Sequence, residues 1–239
     1  MRRIHGTSAI TAVTVQNTLG VQAVHTIPTD IVEAQIRAVA VDLSPAACKT
    51  GMLGTADLVG TVASAIREAS LEKFVLDPVM VATSGDRLLD EGAERAILEL
   101  LMPLSALITP NLHEASILSG MAVRTAEEME RAAHRLLELG AKAVLLKGGH
   151  LEGDQVVDLF VDPAGCHAYQ RPRIDTRHTH GTGCTLSAAI TAELSHGAAL
   201  RDAVESGLDF VHRAIASAPN LGRGSGPLNH FLQPRHLQA

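Results

Sequence analysis

The chain has 239 residues, of which 46% are hydrophobic, 19% are charged and only 2% are aromatic, and its formal net charge is −6. This composition excludes a disordered or fibrous protein, and the scarcity of aromatic side chains argues against an all-β sandwich and against a binder of single-stranded nucleic acid. An acidic chain without a basic run also lacks the electrostatic footprint of a protein that binds DNA or an anionic membrane.

The three cysteines indicate the compartment. Cys48, Cys166 and Cys184 are odd in number and widely spaced, which predicts neither a disulfide framework nor a zinc site. No run of about 18 apolar residues suggests a membrane span, and residues 5–8 interrupt what could otherwise pass for a signal peptide. The sequence therefore predicts a cytoplasmic protein.

Short apolar segments alternate with amphipathic ones along most of the chain. The predicted helices cover residues 29–41, 55–68, 90–101, 126–139, 185 onward and 200–217. The predicted strands cover 49–53, 74–76, 106–108, 143–146 and, as an antiparallel strand, 154–162. Thr125 and Glu128 form a capping box before the clearest of these helices. This alternation predicts a single α/β domain over residues 1–239, with a mostly parallel sheet covered by helices on both faces.

The polar residues that end the predicted strands are the candidate site. In open α/β sheets ligands bind beyond the carboxyl ends of the strands. Those ends carry Lys49, Asp77, Asn111 and Lys147, followed by the loop before Thr185. We therefore expect these side chains to lie close together.

The segment 178–185 combines two glycines with a cysteine at the start of a predicted helix. Gly181 and Gly183 flank Thr182 and allow a tight turn whose amides, with the helix dipole, form an anion hole. A plain loop before a helix is the alternative interpretation, but Cys184 lies at the helix mouth, where a thiol pKa tends to fall. The combination favours phosphoryl transfer, and the absence of GxxxxGK[ST] excludes a P-loop enzyme.

Four further residues at or just after the strand ends fit a phosphate site. Asn111 and Glu114 are three residues apart at a helix start, where an amide and a carboxylate can hold a hydrated Mg²⁺; ordinary helix capping explains the same spacing. Asp77 is a second candidate carboxylate for the metal or for anchoring the loop. Lys147 before two glycines can neutralise phosphate charge, or can be a solvated lysine beside a turn.

The order of these motifs resembles a known family. The segments that carry the resemblance are 10–18, 49–53, 77–86, 109–115, 179–184 and 226–231. They are similar to the hydroxymethylpyrimidine/phosphomethylpyrimidine kinases of thiamine biosynthesis. The resemblance implies a ribokinase-like, three-layer α/β/α fold, a homodimer, ATP and Mg²⁺ as cofactors, and a small pyrimidine as substrate, with neither nucleic acid nor membrane as a partner.

The resemblance also implies roles for single residues. The amides of residues 181–183 would form the anion hole, and Cys184, typical of this branch, would accept or orient the proton of the substrate hydroxyl. Gln16 would hydrogen-bond the aminopyrimidine ring. Met52 and Met80 would line its pocket, although filling the core is an equally good role for a methionine. The residues assigned to ATP and the metal are Lys147, Asn111 and Thr179 for the nucleotide and Glu114 and Asp77 for Mg²⁺.

The sequence departs from the family pattern at its start, and it is compatible with two alternative functions. Family members begin with a Gly-Ser-Asp strand, a Gly-Gly-Ala-Gly loop and a helix, and the resemblance implies that this first strand–helix unit is missing before His5. A pyridoxal kinase of the same fold is the nearest alternative, because the vitamin B6 ring also carries a hydroxymethyl group. A truncated relative that binds the nucleotide without catalysis is the other.

Overall fold

The computed structural model describes residues 4–80, 89–149, 151 and 153–232. Residues 81–86 of the segment that contributed to the family resemblance lie outside this range. The strands are β1 (Ala12–Asn17), β2 (Gly20–Thr26), β3 (Cys48–Thr50), β4 (Phe74–Leu76), β5 (Leu107–Ile108), β6 (Val144–Leu146), β7 (Gln155–Asp162) and β8 (Gly165–Pro172). The helices are α1 (Thr29–Leu43), α2 (Ala56–Glu68), α3 (Glu91–Ala96), α4 (Leu112–Ser119), α5 (Ala126–Glu138), α6 (Thr182–Ser195) and α7 (Leu200–Ala216).

Strands β3 to β8 form one six-stranded sheet in the order in which they occur along the chain. Strands β3, β4, β5 and β6 are parallel to one another, and β7 and β8 continue the sheet antiparallel. Strands β4, β5 and β6 are short and apolar because both of their faces are covered, whereas the edge strand β3 contains Lys49 and Thr50. The predicted α/β class, the mostly parallel sheet and the antiparallel direction of residues 154–162 are confirmed.

Alternate side chains of each strand enter two different cores. Phe74 and Leu76 of β4 pack with helices α1 to α5 on one face, whereas Val75 packs with α6 and α7 on the other. Successive side chains of a strand point to opposite faces, so a three-residue apolar strand contributes to both layers. The result is the three-layer α/β/α arrangement that the resemblance implies.

Three local predictions differ from the structure. The predicted helix 90–101 is α-helical only over α3 and continues as a π turn over Ile97–Leu101; Pro103, which lacks an amide hydrogen, follows closely. Helix α6 begins at Thr182 rather than at Thr185, so the glycine motif is part of its first turn. The box at α5 is half formed, because Thr125 accepts from the Glu128 amide while the Glu128 carboxylate accepts from the amide of Arg124.

Strands β1 and β2 form a separate hairpin that the sequence reasoning missed. They pair antiparallel, with an irregularity between Val15 and Gln16. The turn at Thr18 and Leu19 lacks the Asn-Gly or Asp-Gly pair that announces a two-residue hairpin loop. Most of the hairpin is exposed, including Val13 and Val15. No helix among the described residues is long and apolar enough to cross a membrane.

Candidate active site

The first turn of α6 presents its amides at the carboxyl end of the parallel strands. Gly181 is the N-cap residue with a φ of +77°, a left-handed conformation that favours glycine, and no side chain of the described residues caps this end. The Thr182 hydroxyl instead donates to the carbonyl oxygen of Thr179 at 2.6 Å. The Thr182 amide also donates to the Thr179 carbonyl oxygen, at 3.3 Å, so the other amides of the first turn and the positive end of the helix dipole are available to an anion.

The ammonium group of Lys147 lies against this turn. Its Nζ atom is 3.1 Å from the position that a Cβ atom on Gly183 would take. Lys147 follows β6, and its amide donates to the carbonyl oxygen of Pro110, which extends the pairing of β5 and β6 beyond their ends. The backbone thus brings a cation to the point at which the α6 amides converge.

Two buried carboxylates hold that ammonium group. The Lys147 Nζ atom is 3.5 Å from Oδ1 of Asp77 and 3.8 Å from Oε2 of Glu114. Asp77 is 1% exposed and Glu114 is 4% exposed, so solvent screens these pairs little. One cation shared by two carboxylates fixes the position of the lysine side chain.

Asp77 is itself held by two hydroxyl groups, one from α6 and one from the end of the neighbouring strand β5. The Ser187 hydroxyl, from the second turn of α6, donates to Oδ2 of Asp77 at 3.0 Å, and the Thr109 hydroxyl donates to Oδ1 at 3.4 Å. Both Asp77 oxygens therefore have partners within the protein. Asp77 links the strand ends to α6, as the anchoring alternative for this residue supposed.

Asn111 and Glu114 form a complete capping box at the start of α4. The Asn111 side chain accepts from the Glu114 amide at 2.9 Å, and the Glu114 carboxylate accepts from the Asn111 amide at 2.7 Å. The capping interpretation of this pair is thus confirmed. Glu114 has an additional partner in Lys147, so capping and site geometry depend on the same carboxylate.

The charges of this cluster are coupled. Burial would lower the pKa of the Lys147 ammonium, but the carboxylates of Asp77 and Glu114 outweigh it, and the pKa lies above its usual value. Burial raises the pKa of the Glu114 carboxyl, and Lys147 opposes that shift only in part. The lysine therefore stays charged at neutral pH.

Cys184 lies in the first turn of α6, with its side chain accessible from the solvent. The surrounding protein nevertheless desolvates the thiol, and this burial together with the negative charge of Asp77 raises its pKa despite the nearby Lys49 and Lys147. The expectation that the helix mouth lowers this pKa is therefore wrong. Cys184 is a protonated thiol at neutral pH, able to donate or accept a hydrogen bond.

The carboxylates do not form a cage for a bare metal ion. Among the described residues there is no group of three or more His, Cys, Asp and Glu side chains that could hold a metal ion. Asp77 and Glu114 already bind Lys147, hydroxyls and an amide. Carboxylate oxygens keep spare lone pairs, so these groups fit hydrogen bonds to metal-bound water better than direct coordination.

The residues predicted for the substrate lie in three different settings. Gln16 is exposed on β1, where its side chain accepts a hydrogen bond from Thr14 at 3.4 Å. Met52 is half-buried, and its carbonyl oxygen accepts from the Thr11 hydroxyl at 2.8 Å, which ties the hairpin base to the loop after β3. Met80 is 1% exposed and belongs to the core, so its side chain fills the interior as the alternative role supposed.

Four positioning side chains were not predicted. Ser187 holds Asp77, and the buried Asp158 accepts from the Gly148 amide at 3.0 Å. Arg173 donates to three carbonyl oxygens of the loop after Lys147, and His178 is buried behind the glycine turn. Of these four, only Asp158 could have been recognised in the sequence, because it places a charge within an apolar strand. The other three side chains act through contacts with residues that are distant in sequence.

Comparisons with known proteins show the family to which the chain is similar. A family model described as phosphomethylpyrimidine kinase matches residues 1–229. A hydroxymethylpyrimidine/phosphomethylpyrimidine kinase of Bacillus subtilis is 43% identical over 234 residues, which cover 98% of this chain and 86% of the relative. A thiamine biosynthesis bifunctional protein of Geobacter sulfurreducens is 44% identical over 228 residues, 95% of this chain and 46% of that protein.

A solved structure shares the fold over nearly the whole chain. The ADP complex of Bacillus subtilis pyridoxal kinase matches with a TM-score of 0.89 and 37% sequence identity, covering 96% of this chain and 87% of that one.

Proposed function

The chain belongs to the phosphomethylpyrimidine kinase family, and from this premise we propose that it is the kinase that phosphorylates 4-amino-5-hydroxymethyl-2-methylpyrimidine and then its monophosphate, with ATP, in thiamine biosynthesis. One observation of the site carries the proposal. A lysine ammonium held by two buried carboxylates lies against a glycine turn at an uncapped helix start. Fixed positive charge at one point is what a phosphoryl group in transfer requires.

In the proposed mechanism the residues of this chain position and neutralise rather than react. The substrate hydroxymethyl oxygen forms a bond to the γ-phosphorus of ATP as the bond to the β–γ bridging oxygen breaks. The amides of residues 181–183 and Lys147 hold the phosphoryl oxygens. Because the transition state is loose, the hydroxyl proton leaves late and passes to an oxygen of the transferred phosphoryl group, while the Cys184 thiol orients that hydroxyl without removing its proton. Gln16 holds the pyrimidine ring, and Thr179 and Asn111 lie on the nucleotide side.

We assign Mg²⁺ to the phosphates of the nucleotide. The ion neutralises their charge and keeps several waters. Glu114 and Asp77 would receive hydrogen bonds from those waters, since both carboxylates already bind protein groups. The protein contributes the fixed cation, and the phosphates of the nucleotide would hold the metal.

We further propose one catalytic domain over residues 1–239 and a homodimer in the cytoplasm. The continuous six-stranded sheet supports a single domain. The free cysteines support a reducing compartment. The exposed Val13 and Val15 share one face of β1, opposite to that of Gln16, and such an apolar face supports a contact between two copies.

A pyridoxal kinase is the second candidate, favoured by the similarity to the pyridoxal kinase structure. The two candidate functions are distinguished by measuring kcat/KM for hydroxymethylpyrimidine and for pyridoxal on one preparation of the protein with ATP and Mg²⁺. Our proposal expects the pyrimidine to be preferred at least about tenfold, a difference of about 1.4 kcal/mol in transition-state binding. A preference for pyridoxal would overturn the assignment of the substrate and leave the phosphoryl site unaffected.

A further inference from the structure

A glycine-rich loop near the end of the described chain joins the hairpin to the active site. We name residues 222–226 (Gly-Arg-Gly-Ser-Gly) the glycine clasp. It lies between the hairpin turn at Thr18 and the segment 178–183 that leads into α6. The residues it touches on the two sides are more than 150 positions apart in sequence.

On the hairpin side the clasp is in backbone contact with Thr18. The Gly224 amide donates to the Thr18 hydroxyl at 3.4 Å. A Cβ atom on Gly224 would overlap the carbonyl oxygen of Thr18, and one on Gly222 would overlap the Thr18 side chain. The clasp and the hairpin turn are therefore too close for any side chain at these two positions.

On the active-site side the clasp is in contact with the segment before the glycine turn. The His180 amide donates to the carbonyl oxygen of Gly226 at 3.2 Å, and Arg177 Nη1 donates to that of Arg223 at 3.5 Å. A Cβ atom on Gly226 would overlap Nδ1 of His178 and would lie 2.5 Å from the carbonyl oxygen of Leu221. His178 is 5% exposed, and its Nδ1 has no hydrogen-bond partner among the described residues, so packing holds this ring.

Backbone conformation does not explain why positions 224 and 226 are both glycine. Gly222 has a φ of +82°, which favours glycine by itself, but neither Gly224 nor Gly226 has a positive φ. Both can adopt their backbone angles with any side chain. The close approach of Thr18 leaves no room for a side chain at Gly224, and that of His178 leaves none at Gly226. The two glycines therefore keep the clasp in direct contact with both segments.

We propose that the glycine clasp is a positioning element that fixes the hairpin carrying Gln16 relative to the α6 turn carrying Cys184. The inference rests on the proposed function for the roles of those two residues. Through the clasp, the group that holds the pyrimidine ring and the group that holds the transferred phosphoryl keep one separation. Misplacement by about 1 Å costs up to about a hundredfold in rate, so this separation determines kcat.

The kinetic test compares two variants of Thr18, the residue that the clasp contacts on the hairpin side. Thr18→Val removes the hydroxyl and keeps the shape, and Thr18→Ser keeps the hydroxyl. We expect Thr18→Val to lower kcat/KM for the pyrimidine about tenfold, with the KM for ATP unchanged, and Thr18→Ser to stay within about twofold of the wild type. Gly60→Ala is the control, because no atom lies within 4 Å of a Cβ on Gly60. Wild-type kinetics of a folded Thr18→Val variant would overturn the proposal.

Amide hydrogen exchange tests the same coupling without catalysis. Gly226→Ala changes the active-site side, and it should raise exchange in hairpin residues 12–26. Thr18→Val should raise exchange in residues 178–183. Increases confined to the mutated side would overturn the proposal in either variant. If the wild type fails to phosphorylate the pyrimidine, the proposed function fails, while the exchange result still decides whether the clasp couples the two elements.

Discussion

At the scale of single residues, the active-site charges form one interdependent group. Lys147 is the cation shared by two carboxylates that are almost completely buried, and the Ser187 hydroxyl donates to Oδ2 of Asp77. Removing one partner from a buried ion pair leaves an uncompensated charge, which costs more than the pair contributes. Under the proposed function, stability and phosphate binding therefore depend on the same ammonium group.

Lys147→Met should destabilise the fold by about 3–5 kcal/mol at pH 7, because Asp77 and Glu114 lose their shared cation. Burial already raises the pKa of the Glu114 carboxyl, and loss of the ammonium raises it further, so the folded variant binds more protons than its unfolded chain and loses stability as pH rises. Urea unfolding at pH 5 and pH 7 should show the smaller loss at pH 5. Lys73→Met, which removes only a hydrogen bond to the Leu194 carbonyl oxygen, should lose about 1 kcal/mol at both. Equal losses for the two variants would contradict the account.

Cys184 should react slowly with iodoacetamide at pH 7. Its pKa lies above the ordinary value of 9.0, so the reactive thiolate is a minor species until the pH passes that value. Alkylation of Cys184 followed by mass spectrometry from pH 6 to 10 should accelerate only at the alkaline end. Fast labelling at neutral pH would indicate a lowered pKa and a thiolate base.

At the scale of elements, α4 and α5 offer a matched pair of helix starts. Both have a side-chain N-cap, from Asn111 and from Thr125, but only the α4 cap shares its carboxylate with Lys147. Asn111→Ala and Thr125→Ala should each lower the free energy of unfolding by about 1 kcal/mol. Only Asn111→Ala should also reduce kcat, as measured with ATP and the pyrimidine. Equal kcat values for the two variants would show that the α4 cap does not contribute to the active site.

The elements that the sequence predicts are those with strong local patterns. The apolar strands and the Thr55 and Thr125 helix starts are predictable because period and capping are local properties. The sequence did not predict the hairpin, because its turn at Thr18 lacks the Asn-Gly or Asp-Gly pair typical of a two-residue hairpin loop. The strand-end residues Asp77 and Lys147 were predictable from topology alone. Their contacts with Ser187, and the raised pKa of Cys184, depend on side chains from other elements that no spacing reveals.

At the scale of the whole molecule, our proposal assigns Mg²⁺ to the nucleotide rather than to a metal centre built by the protein. Mg²⁺ alone should leave the melting temperature unchanged within error, because the described carboxylates already have protein partners. Mg²⁺ with ATP should raise it, since a ligand that binds only the folded state stabilises it. Thermal denaturation with and without EDTA provides the measurement. Stabilisation by Mg²⁺ alone would indicate a metal cage built by the protein.

The central claim, phosphoryl transfer to the hydroxymethyl oxygen at the α6 turn, is tested most directly by ³¹P NMR of the reaction products. With ATP, Mg²⁺ and hydroxymethylpyrimidine, the wild type should form the pyrimidine monophosphate and then the diphosphate. Cys184→Ala should form them much more slowly while binding ATP with unchanged affinity by calorimetry. Release of inorganic phosphate without a pyrimidine phosphate, or an equally active Cys184→Ala variant, would contradict the account.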